Sequence, residues 1–237
     1  SLVIFTCVVG LLIAPTQVSF FSACFSLFAV ALGAGAAGTL NMWYESDIDA
    51  LMKRTCLRPI PTGKISKKQA LVFGLSTSFL SVIMLYLFSN LLSAFMLAIT
   101  ILFYVVIYTI WLKQRTAQNI VIGGAAGAFP PIIGWTISTN SINFEPLFLF
   151  LIIFFWTPSH FWALSLFKIE DYDKAKIPML PLVSGVRSTK INILVYSIIL
   201  VIVSIMPYFF GYFGLTYLIT SILLGSYYIY LSYVLFK

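Results

Sequence analysis

Asn41, Glu45 and Asp49 stand four residues apart at the end of a long apolar run, and all three side chains carry oxygen. If the segment is helical, this spacing places them on one face. Carboxylate and amide oxygens suit a hard cation such as Mg²⁺, which also binds the phosphates of a substrate. Basic residues follow at once, at Lys53, Arg54, Arg58 and Lys64. Carboxylates for a metal beside cations for phosphate predict a diphosphate site at a membrane surface.

A second charged stretch follows a later apolar run and contains Lys168, Glu170, Asp171, Tyr172 and Asp173. Six of the seven acidic residues lie in these two stretches. The simpler interpretation, in which both are solvated loops that fix membrane topology, leaves this concentration unexplained. Two metal-binding helix ends that face each other could instead hold a diphosphate between them. Metal ions and neighbouring cations would neutralise the charge that develops as an allylic C–O bond breaks.

The composition is that of a polytopic membrane protein. The 237 residues are 61% hydrophobic and 9% charged, and the mean hydropathy is +1.03. A soluble domain is roughly 45–50% apolar and about 25% charged. The net charge of +7 indicates basic loops on one side of a membrane, so no nucleic-acid partner is expected. The three cysteines show no pairing or metal-binding spacing, and no disulfide is expected.

A spanning helix needs about 20 apolar residues, and the hydropathy predicts eight spans. They cover 1–14, 20–44, 69–88, 91–112, 118–139, 146–167, 190–210 and 213–236. We expect the first to be truncated and the chain to be a fragment, because it starts inside an apolar run. All fourteen Lys and Arg fall in loops on one side. By the positive-inside rule this is the cytoplasmic side of a bacterial inner membrane, or alternatively the matrix side of a mitochondrial one.

Small residues and prolines mark the inner helices of the predicted bundle. The runs 33–38 and 123–127 are rich in Gly and Ala, which let membrane helices approach closely. Pro130, Pro131 and Pro158 predict kinks, which are tolerated where neighbours or a cavity satisfy the freed carbonyls. A bundle with kinked inner helices could hold a large apolar ligand.

These motifs resemble a known family. The first motif, followed by Met52-Lys53-Arg54-Thr55 and Arg58-Pro59, resembles the first motif of UbiA-type intramembrane prenyltransferases. Three further runs are similar to the haem O synthase branch: Lys168-x-x-Asp171-Tyr172-x-x-Ala175-x-x-Pro178-Met179-Leu180-Pro181, Pro158-x-His160-Phe161 and Gly124-x-x-Gly127-x-x-Pro130-Pro131-x-x-Gly134. The resemblance covers nearly the whole chain. It departs from the superfamily at Glu45, where Asp is common, and at Ala175, where quinone-type enzymes have a second Asp.

The resemblance implies one intramembrane prenyltransferase domain over residues 1–237, truncated at both ends. It would be an all-α bundle of nine membrane helices, eight of them present, around a central cavity. Cytoplasmic cap loops would cover about 45–68 and 168–189. The implied reaction transfers the farnesyl group of farnesyl diphosphate to a vinyl group of haem B, with hydration, to give haem O for terminal oxidases. Mg²⁺ is the implied cofactor, haem B is a substrate, and haem A synthase or oxidase assembly proteins could act downstream.

The resemblance also implies roles for single residues. Asn41, Glu45 and Asp49 would hold one Mg²⁺–diphosphate, and Asp171 would serve a second. Candidates for binding diphosphate or the haem propionates are Lys53, Arg54, Arg58, Lys113, Arg115 and Lys168.

Three further polar residues could act at the site. His160 could contact haem or be a structural residue at a helix kink. Tyr172 could position the metal or the diphosphate, and Asn119 could hydrogen-bond a substrate. Asp47 and Asp173 are expected to be solvated, because in helices they point away from the metal-binding faces.

Two other functions remain open. A UbiA-type prenyltransferase acting on a quinone-precursor aromatic acceptor would share the first motif, although Ala175 argues against it. A transporter or channel for an anionic amphiphile could use the charged loops as an entry funnel. The absence of charged residues in the middle of the predicted spans argues against an ion path.

Overall fold

A computed structural model describes residues 2–237, and this part of the chain is helical without any β-strand. The helices are α1 Leu2–Ile13, α2 Phe20–Tyr44, α3 Ser46–Asp49, α4 Lys67–Phe88, α5 Leu91–Leu102, α6 Asn119–Ala128, α7 Pro130–Thr139, α8 Phe144–Leu166, α9 Ile169–Lys174, α10 Leu180–Phe209 and α11 Leu215–Phe236. A π-helix, π1, continues α5 over Phe103–Leu112. The predicted all-α class is therefore confirmed.

Seven helical segments are long and apolar enough to cross a bilayer. They match the predicted segments from 20–44 onward, and the predicted segment 1–14 contains the shorter apolar helix α1. The largest difference is at 190–210, because α10 begins at Leu180. Gly185 interrupts this helix with φ 81° and ψ 162°, a conformation that favours glycine. The turn before Gly185 therefore belongs to the predicted cap region, and the membrane-crossing part follows it.

A break between two helices coincides with the kink predicted at Pro130. Phe129 separates α6 from α7 directly before Pro130, so the fifth predicted segment is two short helices. Pro158 lies inside α8 without ending it. The π-helix at the end of the fourth predicted segment has no counterpart in the sequence analysis. Such stretches carry one extra residue per turn and are frequent at functional sites.

The helices pack in pairs along the chain and across it. α2 packs against α4, α8 against α6 and α10, and α11 against α10. The short helix α1 lies on α7, where a Cβ added at Gly10 or Gly134 would collide with backbone carbonyls of the facing helix. A second apolar core joins Trp162 of α8 to Tyr172 and Ile177 of the cap. This core holds the segment 168–179 against the ends of the membrane helices.

The small residues have two different uses. Gly33 and Gly124 pack closely against neighbouring helices, as predicted, because an added Cβ would meet Leu97 or Thr157 within about 3 Å. Gly38 and Gly127 do not pack in this way. No heavy atom of a neighbouring element among the described residues lies within 4 Å of an added Cβ, and both glycines line a cavity between the helices. Their lack of a side chain leaves space between the helices.

Candidate active site

Helical hydrogen bonding carries the first motif past the end of α2. The Glu45 amide donates to the Asn41 carbonyl at 2.9 Å, and the Asp49 amide donates to the Glu45 carbonyl at 2.8 Å. The i, i+4 pattern therefore continues through α3, and the three residues lie on one face as their spacing predicts. All three side chains are buried, and Glu45 and Asp49 are each 2% exposed.

Each carboxylate of the first motif forms an ion pair with a cation from another part of the chain. Lys113 Nζ lies 2.6 Å from Glu45 Oε2, and Arg58 Nη1 lies 2.7 Å from Asp49 Oδ2. Lys113 follows π1, and Arg58 comes from the loop after α3. A buried carboxylate without a partner is strongly unfavourable, so these pairs keep the charges in place.

A hydroxyl group fixes the orientation of the Asn41 amide. Thr109 Oγ1 donates to the Tyr104 carbonyl at 2.9 Å, and Asn41 Nδ2 donates to the same hydroxyl oxygen at 3.2 Å. Because the hydroxyl hydrogen is already used, Thr109 can only accept from Asn41. The amide nitrogen must therefore face Thr109, and the amide oxygen points elsewhere. The Thr109–Tyr104 bond spans five residues, so it depends on π1.

Among residues 2–237, three buried side-chain oxygens near this end of the bundle lack hydrogen-bond partners, those of Glu45, Ser46 and Asn119, and two of them belong to residues that line one cavity. These two atoms are Glu45 Oε1 and Asn119 Oδ1. The Asn119 side chain is fully buried, and its Nδ2 donates to the carbonyls of Thr116 at 2.6 Å and Lys113 at 3.4 Å. Both residues line a polar cavity of about 60 Å³ together with Asp49. Buried acceptors of this kind are rare and call for an explanation.

The polar cavity adjoins a larger central cavity, which in turn adjoins an apolar one. A central cavity of about 420 Å³ shares Tyr108, Lys113 and Phe161 with it. An apolar cavity of about 230 Å³ shares Tyr104 and Gly127 with the central cavity. From the cap toward the membrane helices, the walls of the three cavities therefore change from charged to apolar. Such an arrangement suits an amphiphile with an anionic head.

Aromatic side chains form part of the central cavity wall. His160 stacks on Trp156 with ring centroids 4.4 Å apart and an interplanar angle of 17°. Phe161 meets His160 edge to face at 5.3 Å. Lys113 and Tyr108 also line this cavity, and Lys113 Nζ lies 5.8 Å from the centroid of the Tyr108 ring. These ring faces can attract positive charge.

The second charged stretch contributes to the polar cavity through Tyr172 and not through Asp171. Tyr172 lines it together with Ile177 and Met179. Asp171 is buried, but it is not part of that wall. It also belongs to none of the three ion pairs formed in the part of the chain that the structure describes.

Eight of the thirteen predicted site residues line the polar or central cavity: Glu45, Asp49, Arg54, Arg58, Lys113, Asn119, His160 and Tyr172. The other five do not line either cavity: Asn41, Lys53, Arg115, Asp171 and Lys168. Asn41 is buried beside Thr109, whereas Lys53, Arg115 and Lys168 are exposed. Asp47 is exposed and paired with Lys67 at 2.8 Å, and Asp173 is exposed, in agreement with the expectation for both.

Across residues 2–237, no group of three His, Cys, Asp or Glu side chains converges as a metal site. A cation held by the first motif would therefore use two carboxylates and an amide oxygen. This is a donor set that Mg²⁺ accepts when phosphates and waters complete it.

Four residues near the site were not among the predicted site residues: Tyr104, Tyr108, Thr109 and Trp156. The four-residue interval from Thr109 to Lys113 was a usable signal, because it places both on one helical face. The five-residue interval from Tyr104 to Thr109 carried no such signal, because the hydrogen bond between these two residues requires a π-helix.

Comparison with known proteins shows the family of the chain. The model of the UbiA prenyltransferase family matches residues 3–237. A protein of Pelagibacter ubique (strain HTCC1062) named protoheme IX farnesyltransferase is 64% identical over 237 residues, which is 100% of this chain and 78% of that protein. A protein of the same name from Afipia carboxidovorans (strain ATCC 49405 / DSM 1227 / KCTC 32145 / OM5) is 55% identical over 95% of this chain and 72% of its own length.

Solved structures share the fold at low sequence identity. A digeranylgeranylglyceryl phosphate synthase has a TM-score of 0.81 at 20% identity, over 98% of this chain and 81% of that one. A UbiA homolog from Archaeoglobus fulgidus bound to DMAPP and Mg²⁺ has a TM-score of 0.78 at 17% identity, over 98% and 82%. The chain therefore belongs to the UbiA prenyltransferase family and is an integral membrane prenyltransferase that resembles the protohaem IX farnesyltransferases.

Proposed function

We propose that this enzyme transfers the farnesyl group of farnesyl diphosphate to a vinyl group of haem B, with hydration, to give haem O. One structural observation carries the proposal. Two buried carboxylates, Glu45 and Asp49, each pair with a cation at the charged end of a cavity system whose other end is apolar. This is the arrangement that a prenyl diphosphate requires. The names of the most similar relatives support farnesyl as the group and haem as the acceptor.

Mg²⁺ is the proposed cofactor, and the residues present fit it. Asn41, Glu45 and Asp49 would hold the ion, and the unpartnered Oε1 of Glu45 is a donor that a cation would satisfy. Asp171 would serve a second ion after a change in the cap. When bound, Mg²⁺ neutralises charge on the diphosphate leaving group. The Archaeoglobus fulgidus homolog bound to DMAPP and Mg²⁺ supports Mg²⁺ as the cofactor.

The chain's own cations act on the same leaving group. Lys113 and Arg58 reach the polar cavity, and both can exchange a carboxylate for a diphosphate oxygen. Arg54 lines the polar and central cavities and adds a third positive charge. As the C–O bond of farnesyl diphosphate breaks, the electron pair goes to the diphosphate oxygen. These cations stabilise that charge in a buried site, where such interactions are strong.

The apolar and central cavities would hold the reacting carbon skeletons. The apolar cavity between α2, α5 and α6 takes the farnesyl chain, and the central cavity takes the edge of haem B that carries the vinyl group. Tyr104 lines both cavities and Tyr108 lines the central one, and their rings can stabilise an allylic cation. The vinyl π electrons form a bond to C1 of farnesyl, which leaves the positive charge on the other vinyl carbon. Water adds there and loses a proton, which gives the hydroxyl group.

Haem B would be held at the wall formed by His160 and Trp156. His160 would contact the haem directly, and Tyr172 and Asn119 would complete the charged end of the site. The remaining basic candidates for the haem propionates are Lys53, Arg115 and Lys168, which are exposed on the same side of the bundle. This placement keeps the propionates at the aqueous face and the porphyrin edge inside.

The proposed location is a bacterial inner membrane with the cap on the cytoplasmic side, or alternatively a mitochondrial inner membrane with the cap on the matrix side. The connections 14–19, 89–90, 140–143 and 210–214 contain no Lys or Arg, so all fourteen lie on the cap side.

Residues 1–237 form one prenyltransferase domain with cap loops at about 45–68 and 168–189. Haem A synthase or oxidase assembly proteins would receive the product.

Product analysis tests the proposed reaction. The chain in lipid nanodiscs is incubated with haem B, farnesyl diphosphate and Mg²⁺, and the pigment is followed by mass spectrometry. We expect a mass gain equal to farnesyl plus hydroxyl, and its loss on addition of EDTA. Diphosphate release that needs an added phenolic acceptor and leaves haem unchanged would instead establish the quinone-type reaction. Transport of an anionic amphiphile into liposomes without diphosphate release would contradict both.

A further inference from the structure

Asn119 lies at the charged end of the site, and Oδ1 is the only polar atom of its side chain without a hydrogen bond in the described residues. Its two N–H bonds point to the carbonyls of Thr116 and Lys113, at 2.6 and 3.4 Å. Because both partners are acceptors, the amide cannot be turned around without losing these bonds. The Oδ1 atom therefore has a fixed direction, and it has no partner among the residues that the structure describes.

The chemistry of this oxygen excludes a diphosphate contact. Oδ1 accepts hydrogen bonds, and a diphosphate near neutral pH offers mainly acceptor oxygens as well. An approach of the two would be repulsive. A cation, or the O–H of water bound to a cation, is the complementary partner for such an oxygen. Glu45 Oε1 is in the same situation, because it is also buried without a partner in residues 2–237.

Both unpartnered residues line the polar cavity of about 60 Å³, and Lys113 connects them. The Lys113 carbonyl accepts from Asn119 Nδ2, whereas its Nζ pairs with Glu45 Oε2 at 2.6 Å. While Lys113 holds Glu45, both spare oxygens are shut off from solvent. If Lys113 moves to a diphosphate, the Glu45 carboxylate becomes free for a cation beside Asn119.

We propose that Asn119 Oδ1 and Glu45 Oε1 form a cation subsite, in which Asn119 binds the divalent metal or a water on it and does not contact the diphosphate. This rests on the proposed function, because the cation is the one that accompanies the diphosphate. Asn119 adds a donor from α6 to the three donors of the first motif. It also couples metal binding to Lys113, whose side chain must leave Glu45 before the subsite opens.

Metal binding can be measured apart from turnover. Mn²⁺ replaces Mg²⁺, inorganic pyrophosphate is the anion, and free Mn²⁺ is followed by electron paramagnetic resonance on the chain in nanodiscs. We expect N119A to weaken Mn²⁺ binding by about tenfold or more. The affinity for farnesyl diphosphate at saturating Mn²⁺ should change less than the Mn²⁺ affinity. Q118A is the matched control, because it removes a neighbouring amide that is exposed and lines neither the polar nor the central cavity.

The outcomes separate this inference from the proposed function. Equal Mn²⁺ affinity in N119A and the unaltered protein overturns the inference alone, and so does a selective loss of farnesyl diphosphate affinity. If the unaltered protein binds no Mn²⁺ with pyrophosphate, the metal-dependent function fails as well. If N119A does not fold, N119D keeps an oxygen at this position. Mn²⁺ binding that is as tight or tighter supports the subsite, and weaker binding overturns it.

Discussion

Lys113 Nζ lies 2.6 Å from Glu45 Oε2, although the two residues are 68 positions apart. The carboxylate is almost completely buried, and the lysine reaches it from the end of a π-helix. The same ammonium lies over the ring of Tyr108. The pair therefore fixes the helix that carries the first motif to π1, which carries Tyr104 and Tyr108.

Removal of the lysine should destabilise the protein through Glu45. K113M leaves a buried carboxylate without its partner, which typically costs about 3–5 kcal/mol. Because Lys113 is partly exposed, we expect about 3 kcal/mol, the lower end of that range. The thermal unfolding midpoint of the purified protein in detergent measures the effect. The double variant K113M/E45Q should recover most of the loss, and a double variant no more stable than K113M would contradict this account.

Asp49 should be required for turnover and not for insertion. We expect D49N to lower haem O formation by about 100-fold or more, because it removes a metal ligand and the partner of Arg58. Product formation is measured by mass spectrometry on protein recovered from membranes. D47N is the matched control, because Asp47 is exposed and pairs with Lys67. Full turnover in D49N would rule out the metal role of this carboxylate.

Thr109 should act on metal binding through Asn41. T109V removes the hydroxyl that accepts from the Asn41 amide, so the amide can rotate and its oxygen is no longer directed. We expect Mn²⁺ binding in the presence of pyrophosphate to weaken by about 10-fold to 100-fold, the range for partners of metal ligands. T109S keeps the hydroxyl and should bind Mn²⁺ as the unaltered protein does. Equal affinity in all three proteins would show that the hydrogen bond does not orient Asn41.

Gly38 should control the length of the prenyl chain that the enzyme accepts. G38L places a side chain in the apolar cavity of about 230 Å³, where the end of the chain is proposed to lie. We expect the kcat/KM for farnesyl diphosphate to fall about tenfold relative to geranyl diphosphate, because a few methylenes lose their space. G35L is the control on the same helix, since Gly35 is exposed and has open space around it among the described residues. An equal loss for both substrates would place the chain elsewhere.

The sequence by itself determined the membrane helices, the helical face of the first motif and the concentration of basic residues on one side. Each of these depends on neighbouring residues in the chain. Apolar runs of about 20 residues need no tertiary information, and residues four apart share a face in any helix. The family followed from motifs of the same local kind. The predicted span 190–210 began about ten residues after the observed start of α10 at Leu180. The difference arises because Gly185 ends one helical run and a second run follows at once.

The tertiary structure decided which of these residues meet. No local pattern pairs Glu45 with Lys113 or Asn41 with Thr109, because each contact joins segments 68 residues apart. The role of each glycine was also decided by tertiary structure. A glycine packs closely where a side chain of the neighbouring helix lies against it, and it can border a cavity where none does. The same is true of Asp171 and Tyr172, of which only the tyrosine lines the polar cavity. Helix periodicity fixes the side on which a residue lies, and the packing of distant helices fixes its partner.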